Sequence, residues 1–294
     1  MDRVRVGEIE LCYDLSGDRD DPMLVLVAGL GSSLAMWDDR LLASLHDAGF
    51  GVLRFDNRDS GQSTILDSAP RFDLSAAARR DRSVVTYTVD DLADDTAGLL
   101  DALGIVSAHL LGVSLGGMIA QMTAVRHPAK VLSLCSVMST TGRRDVGTAR
   151  PGVGQVLTKK PATDREGFVR GDLENARLTG SARDELIDDE WRKAKAGRIW
   201  DHGVHPRGTG RLLMAIVASG DRTEALRTIQ APTLVVHGDA DALIDVSGGQ
   251  ATAEAIPGAK LLVVPGLGHE LPPAVWPELI AAVLANARRK EPAR

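Results

Sequence analysis

His109-Leu110-Leu111-Gly112-Val113-Ser114-Leu115-Gly116-Gly117-Met118 holds an apolar run, a serine between two glycines and the opening of a helical pattern. A serine hydroxyl is a poor nucleophile unless a base lies against it and its oxygen stands clear of the backbone, and a tight strand-to-helix turn provides that clearance. Gly112 and Gly116 fall at the two places where a side chain would clash in such a turn. In a chain with 30 glycines the G-x-S-x-G pattern alone is weak. Its setting strengthens it, because the run before it reads as a strand. Met118, Ile119, Met122 and Val125 after it mark a helix that Pro128 ends. That helix would direct its free N–H groups and positive dipole end towards Ser114.

The same alternation spreads in both directions. Val4–Val6, Ile9–Tyr13, Met23–Val27, Val52–Phe55, His109–Leu111, Val131–Ser136, Thr233–His237 and Leu261–Val264 read as eight strands separated by amphipathic helices. That rhythm predicts an α/β protein with a mostly parallel sheet covered on both faces. Thr88 and Asp91 sign one helix start and Gly104 its end. Strands vanish between about Ser139 and Leu212, where charged helical patterns surround Asp184 to Ala194, so residues 139–212 are expected to form an inserted helical lid on a core of 1–138 and 213–294.

Composition narrows the function. Of the 294 residues, 44% are hydrophobic and 25% charged, as in ordinary globular proteins. The net charge of −6 supplies no positive field for nucleic acid or acidic lipid. The first residues lack an apolar run after their charges, and no window approaches the roughly 18 apolar residues of a membrane span. A cytoplasmic protein is expected, with no metal or cofactor, and with self-association to a homodimer allowed. Cys12 and Cys135 lie in strand-like segments and read as small buried hydrophobes.

Among the histidines, His46, His109, His127, His202 and His205 fall on helices, in a strand or in the lid, and His237 reads as shaping the turn before Gly238. His269 remains as the base, in Gly266-Leu267-Gly268-His269-Glu270-Leu271-Pro272-Pro273 after the last strand. Asp239, Asp241 and Asp245 compete as the carboxylate that orients it. Spacing does not separate the first two, although small Ala240 and Ala242 favour Asp241. Two amides should meet a developing oxyanion, Leu115 after the serine and Leu30 in Ala28-Gly29-Leu30-Gly31.

With these four motifs in the order Ser, Asp, His behind a glycine loop, the chain resembles the α/β-hydrolase superfamily over nearly its whole length. Val52-Leu53-Arg54-Phe55-Asp56-Asn57-Arg58-Asp59-Ser60-Gly61-Gln62-Ser63 and the segment Pro265 to Pro272 look like the bacterial carboxylesterases related to aclacinomycin methylesterase. The resemblance implies an eight-stranded α/β-hydrolase fold, Ser114 as nucleophile, His269 as base, Asp241 as acid, and Leu30 and Leu115 as oxyanion donors. Many relatives carry His-Gly where this chain has Ala28-Gly29, so a side-chain prop for that loop is missing. The loop of proline iminopeptidases is absent, and Ser114 stands where haloalkane dehalogenases and epoxide hydrolases need an aspartate.

The expected activity is therefore hydrolysis of small to medium uncharged carboxylic esters through an acyl-enzyme on Ser114. Substrate contacts are expected from Met36, Trp37, Trp200, Leu243 and Ile244. Two other readings remain: lactone, thioester or carbon–carbon bond hydrolysis on the same residues, and a small-molecule receptor with a vestigial triad.

Overall fold

A computed structural model of the chain describes residues 1–18, 20–67, 73–79, 81 and 83–289. Each apolar run becomes a strand: β1 Asp2–Val6, β2 Ile9–Ser16, β3 Met23–Val27, β4 Gly51–Phe55, β5 Ala108–Val113, β6 Val131–Val137, β7 Thr233–Gly238 and β8 Lys260–Val264. They form one sheet of order β1-β2-β4-β3-β5-β6-β7-β8. β2 pairs antiparallel with β1 and β4, and every other pairing is parallel.

The helices are α1 Asp39–Asp47, α2 Leu74–Ala78, α3 Val89–Ala102, α4 Leu115–Arg126, α5 Arg165–Thr179, α6 Asp189–His202, α7 Pro206–Ser219, α8 Thr223–Leu226, α9 Ser247–Ala255 and α10 Trp276–Ala287. Side chains alternate across a strand, so β3 feeds two cores. Val25 and Val27 join Leu99 of α3 and Ile119 of α4 on one face. Leu24 and Leu26 join Leu41 of α1 and Leu279 of α10 on the other. α3 begins where expected: the Asp91 carboxylate accepts from the Thr88 amide at 2.7 Å and from its hydroxyl at 2.8 Å.

Between β6 and β7 lie α5, α6, α7 and α8; the insertion forms a helical cap whose last part returns to the core, where Leu212 and Ala215 of α7 and Leu226 of α8 join the Val25 face. α7 is continuous across position 212. Buried charges tie the cap to the loop after β4. Arg211 of α7 grips Asp59 in a two-pronged pair of 2.6 and 2.8 Å, and Tyr87 donates to the same carboxylate at 2.7 Å. His202 at the end of α6 reaches Asp56 at 2.7 Å. No helix among the described residues is long and apolar enough to cross a membrane.

A Cβ at Gly116 would sit 2.0 Å from the Val27 carbonyl oxygen, whereas one at Gly171, inside α5, would meet nothing within 4 Å. Gly116→Ala should cost about 3 kcal/mol or more, and Gly171→Ala should stabilise by about 0.5–1 kcal/mol, both measured by urea denaturation. Burial alone would push the Asp59 carboxyl up, but Arg211, the Leu66 amide and Tyr87 outweigh it and hold it below the ordinary carboxylate range. Its contribution is therefore complete above the unfolded carboxylate pKa near ~4 and is lost as pH falls through the depressed folded value. Asp59→Asn should lose about 3 kcal/mol at neutral pH, a gap that closes towards pH ~2 in the same assay.

Candidate active site

The site lies at the carboxyl ends of β3, β5, β7 and β8, where a parallel sheet places its ligand loops. Ser114 follows β5 directly and adopts φ 55°, ψ −118°, a conformation that residues other than glycine rarely occupy. The turn is held from three sides. Its amide donates to Val137 O at 2.9 Å, its carbonyl accepts from Ser139 Oγ at 2.8 Å, and Gly112 and Gly116 bring neighbouring backbone closer than a Cβ allows.

That strain turns the Ser114 hydroxyl towards His269, whose Nε2 lies 3.0 Å from Oγ. The other ring nitrogen, Nδ1, is 2.7 Å from Asp241 Oδ2. Asp241 is 2% exposed, and its second oxygen accepts the amides of Leu243 and Ile244, each at 2.9 Å. Burial pushes the Asp241 carboxyl up. His269, His237 and the Ile244 amide together outweigh burial and hold it well below the ordinary carboxylate range, so it is ionised at neutral pH. Asp239 is exposed and accepts the Gly266 amide at 2.6 Å, which fixes the histidine loop and leaves the orienting role to Asp241.

His237 braces the acid from behind. It is fully buried, donates through Nε2 to Ile244 O at 2.8 Å, and lies 3.5 Å from Asp241 Oδ2. Its place across the Asp241 turn agrees with the turn-shaping role read from sequence. The glycine loop after β3 abuts the serine, since a Cβ at Gly29 would lie 3.4 Å from Ser114 Cβ. The missing histidine prop is replaced from the loop after β4. Asn57 Nδ2 donates to Ala28 O at 3.3 Å, and Asp56 Oδ1 accepts the Leu34 amide at 2.7 Å.

The expected pocket residues do not act together. Leu30 lines a cleft of about 970 Å³ between the glycine loop and the cap, with Val156, Phe168, Val204, Thr209 and Leu213. Trp200 backs this cleft by packing on Phe168, ring centroids 5.6 Å apart. Trp37 must be corrected: it is 2% exposed in the core with Leu41 and Trp276, leaving no surface for a ligand. Met36 packs against that core. Leu243 serves Asp241 through its amide, and Ile244 does so too while its side chain packs against the other core.

Sequence reading missed Glu270, Arg192 and Ser181, which clamp the histidine loop to the cap. Only the carboxylate directly after His269 hinted at them. Cys12, Asp56 and His202 place their ligand atoms within 4.8 Å of one another, a spacing a metal ion could use. The Asp56 carboxylate is already taken by the amides of Leu34 and Gln62 and by His202, so the cluster is a closed hydrogen-bond knot. Burial pushes the Cys12 thiol up to about 11, which keeps it protonated.

The Asp241 geometry predicts a separable role. Asp241→Asn should keep the fold but allow the wrong imidazole tautomer, lowering kcat roughly a thousandfold or more with an unchanged circular dichroism spectrum. A loss under tenfold would assign the carboxylate elsewhere.

Comparison with known proteins agrees with this geometry. The rhodomycin D methylesterase DauP of a Streptomyces species (strain C5) is 28% identical to this chain over 96% of each sequence. The crystal structure of a hydrolase from Pseudomonas aeruginosa superposes with a TM-score of 0.71 at 26% identity, covering 97% of this chain and 98% of that one. A thermophilic esterase from Thermogutta terrifontis shares the fold at a TM-score of 0.72 and 23% identity, covering 98% of both chains. The model of the alpha/beta hydrolase fold matches residues 22–272, and with its serine, histidine and aspartate hydrogen-bonded in sequence the chain belongs to that family as a carboxylic ester hydrolase of the serine type.

Proposed function

We propose that the chain hydrolyses small to medium uncharged carboxylic esters, methyl esters among them, in two half-reactions on Ser114. The observation that carries this is the continuous relay Ser114 Oγ, His269, Asp241 at 3.0 and 2.7 Å. Ser114 Oγ attacks the ester carbonyl carbon as His269 Nε2 takes its proton, and the imidazolium so formed is stabilised by ionised Asp241. The tetrahedral oxyanion is met by the amides of Leu115 and Leu30. First-turn amides such as Leu115's have no intrahelical acceptor, and the Leu30 loop abuts the serine. Collapse breaks the carbon–oxygen bond to the alcohol, which leaves with the proton from His269. A water, deprotonated by the same nitrogen, then attacks the acyl-enzyme and returns the carboxylic acid and free Ser114.

A cleft of about 970 Å³ beside the glycine loop, lined by Leu30 and Gly31 and by cap residues but not by Ser114 or His269, supports binding of a small molecule next to the serine and sets no size for its acyl group. Likeness to a rhodomycin D methylesterase along nearly the whole chain supports methyl esters among the substrates. The division into a core of 1–138 and 213–294 and a cap of 139–212 belongs to the same proposal, the cap forming one wall of the cleft. Both cysteines are free and buried, which supports a reducing compartment such as the cytoplasm.

The test is hydrolysis of p-nitrophenyl acetate, butyrate and octanoate by wild type and Ser114→Ala, with a fluorophosphonate probe and mass spectrometry to find the adduct. The expected result is an adduct on Ser114, loss of at least a thousandfold in kcat in the alanine variant, and turnover of all three esters. No adduct and no turnover would overturn the esterase reading in favour of a receptor.

A further inference from the structure

We propose that the buried Arg192–Glu270 pair and the cap segment beneath it are positioning elements for His269, so that docking of the cap sets the imidazole in register with Ser114. This rests on the serine-hydrolase reading above. Glu270 directly follows His269. Its Oε1 accepts from Arg192 Nη2 at 2.6 Å and from the Ser181 amide at 2.7 Å, and its Oε2 accepts from Arg192 Nε at 2.9 Å. Both side chains are 4% exposed.

The loop backbone is bonded to the same cap segment. The His269 amide donates to Thr179 O at 2.6 Å, the Gly268 amide to Ser181 Oγ at 3.2 Å, and the Ala182 amide to Gly266 O at 2.8 Å. Two glycines permit this approach: a Cβ at Gly268 would lie 2.1 Å from the Gly180 carbonyl carbon, and one at Gly180 would lie 2.8 Å from Arg192 Nη2. Apart from the histidine ring itself, the described hydrogen bonds of residues 268–270 all run to the cap.

A buried ion pair is a poor adhesive, because desolvation offsets most of its attraction. Its advantage is direction. A two-pronged guanidinium–carboxylate contact fixes angle as well as distance, and an error of about an ångström at a catalytic base can cost a hundredfold in rate. Burial pushes the Glu270 carboxyl up, and Arg192 with the Ser181 amide brings it below the ordinary range, in keeping with an ionised pair.

Charge provides a test that simple adhesion would not pass. The groups facing the histidine loop are Asp241 and His237 on the β7 side, Asp239 at the Gly266 amide, Arg183 with Glu185 against Gly266, and Asp189 on Arg192. Asp239, Arg183, Glu185 and Asp189 are exposed and screened by solvent, so breaking the buried pair leaves one uncompensated charge beside His269. Arg192→Met strands the Glu270 anion and favours the imidazolium. Glu270→Gln leaves the buried Arg192 cation paired only with exposed Asp189 and disfavours it.

The experiment is the pH profile of kcat/KM with p-nitrophenyl butyrate for Arg192→Met, Glu270→Gln and the double variant, with Ser114→Ala as control. The acid limb should move up by about half a unit in the first and down by about half a unit in the second. In the double variant it should return to the wild-type position while kcat stays about tenfold lower at a KM within twofold. Should a single variant fail to fold, the folded double variant decides through its kcat. Wild-type kcat and acid limb with only a lower melting temperature would make the pair purely structural and overturn the proposal. Activity surviving in Ser114→Ala would instead overturn the serine-hydrolase reading on which it rests.

Discussion

The structure depends on one strained residue. Ser114 is held at φ 55° so that its hydroxyl leaves the line of the chain, and the surrounding fold supplies the energy that a position costing on the order of 1–3 kcal/mol requires. β5 lies at the centre of the sheet, between β3 and β6, and cannot shift without breaking both pairings. α4 packs its first turn so close to the end of β3 that only glycine fits at 116. The central strand, the helix behind it and the glycine loop beside it thus determine one another, and the nucleophile sits at their junction.

The remaining chemistry is arranged around that junction by neighbouring strand ends. β7 delivers Asp241 and β8 delivers His269, parallel neighbours whose loops are stitched by Asp239 to Gly266 and by Ala240 to Leu267. The division between Asp239 and Asp241 follows from depth. The exposed carboxylate holds backbone in place, where charge is cheap. The buried one, 2% exposed, accepts two amides and lies against two imidazoles, so its charge is available to an imidazolium in the transition state.

What was legible in the sequence follows from what each signal encodes. The eight strands were readable because continuous apolar, β-branched runs have few alternatives when both sheet faces are covered, as the alternation of Leu24, Val25, Leu26 and Val27 between two cores shows. Ser114, His269 and the loop after β7 were readable because tight turns need glycine and proline at fixed offsets. The choice of Asp241 was only half readable, since Asp239 and Asp241 differ in burial and not in local pattern. Trp37 misled because an aromatic beside a candidate loop looks the same whether its ring faces a ligand or the core. Arg192 was invisible among the charged residues of α6. Its partner lies 78 residues away, and nothing in a run of arginines, lysines and acids marks the one that will be buried.

These unread contacts give the cap a part in both halves of the site. On one side His202 reaches Asp56, the same carboxylate that holds Leu34 and so steadies the glycine loop that carries the Leu30 amide. On the other side Arg192 and Ser181 hold the residue next to the base. Both contacts leave from α6 or from the turn leading into it, a helix with few apolar positions of its own. A body attached through directional, buried polar bonds docks in one orientation or pays the desolvation of every unmatched group. The glycine loop after β3 and the histidine loop after β8 are therefore held by the same cap, although they follow strands at different places in the sheet. A cap fixed by apolar contact alone could slide while keeping its buried area. This one cannot slide without unpairing Asp56 or Glu270.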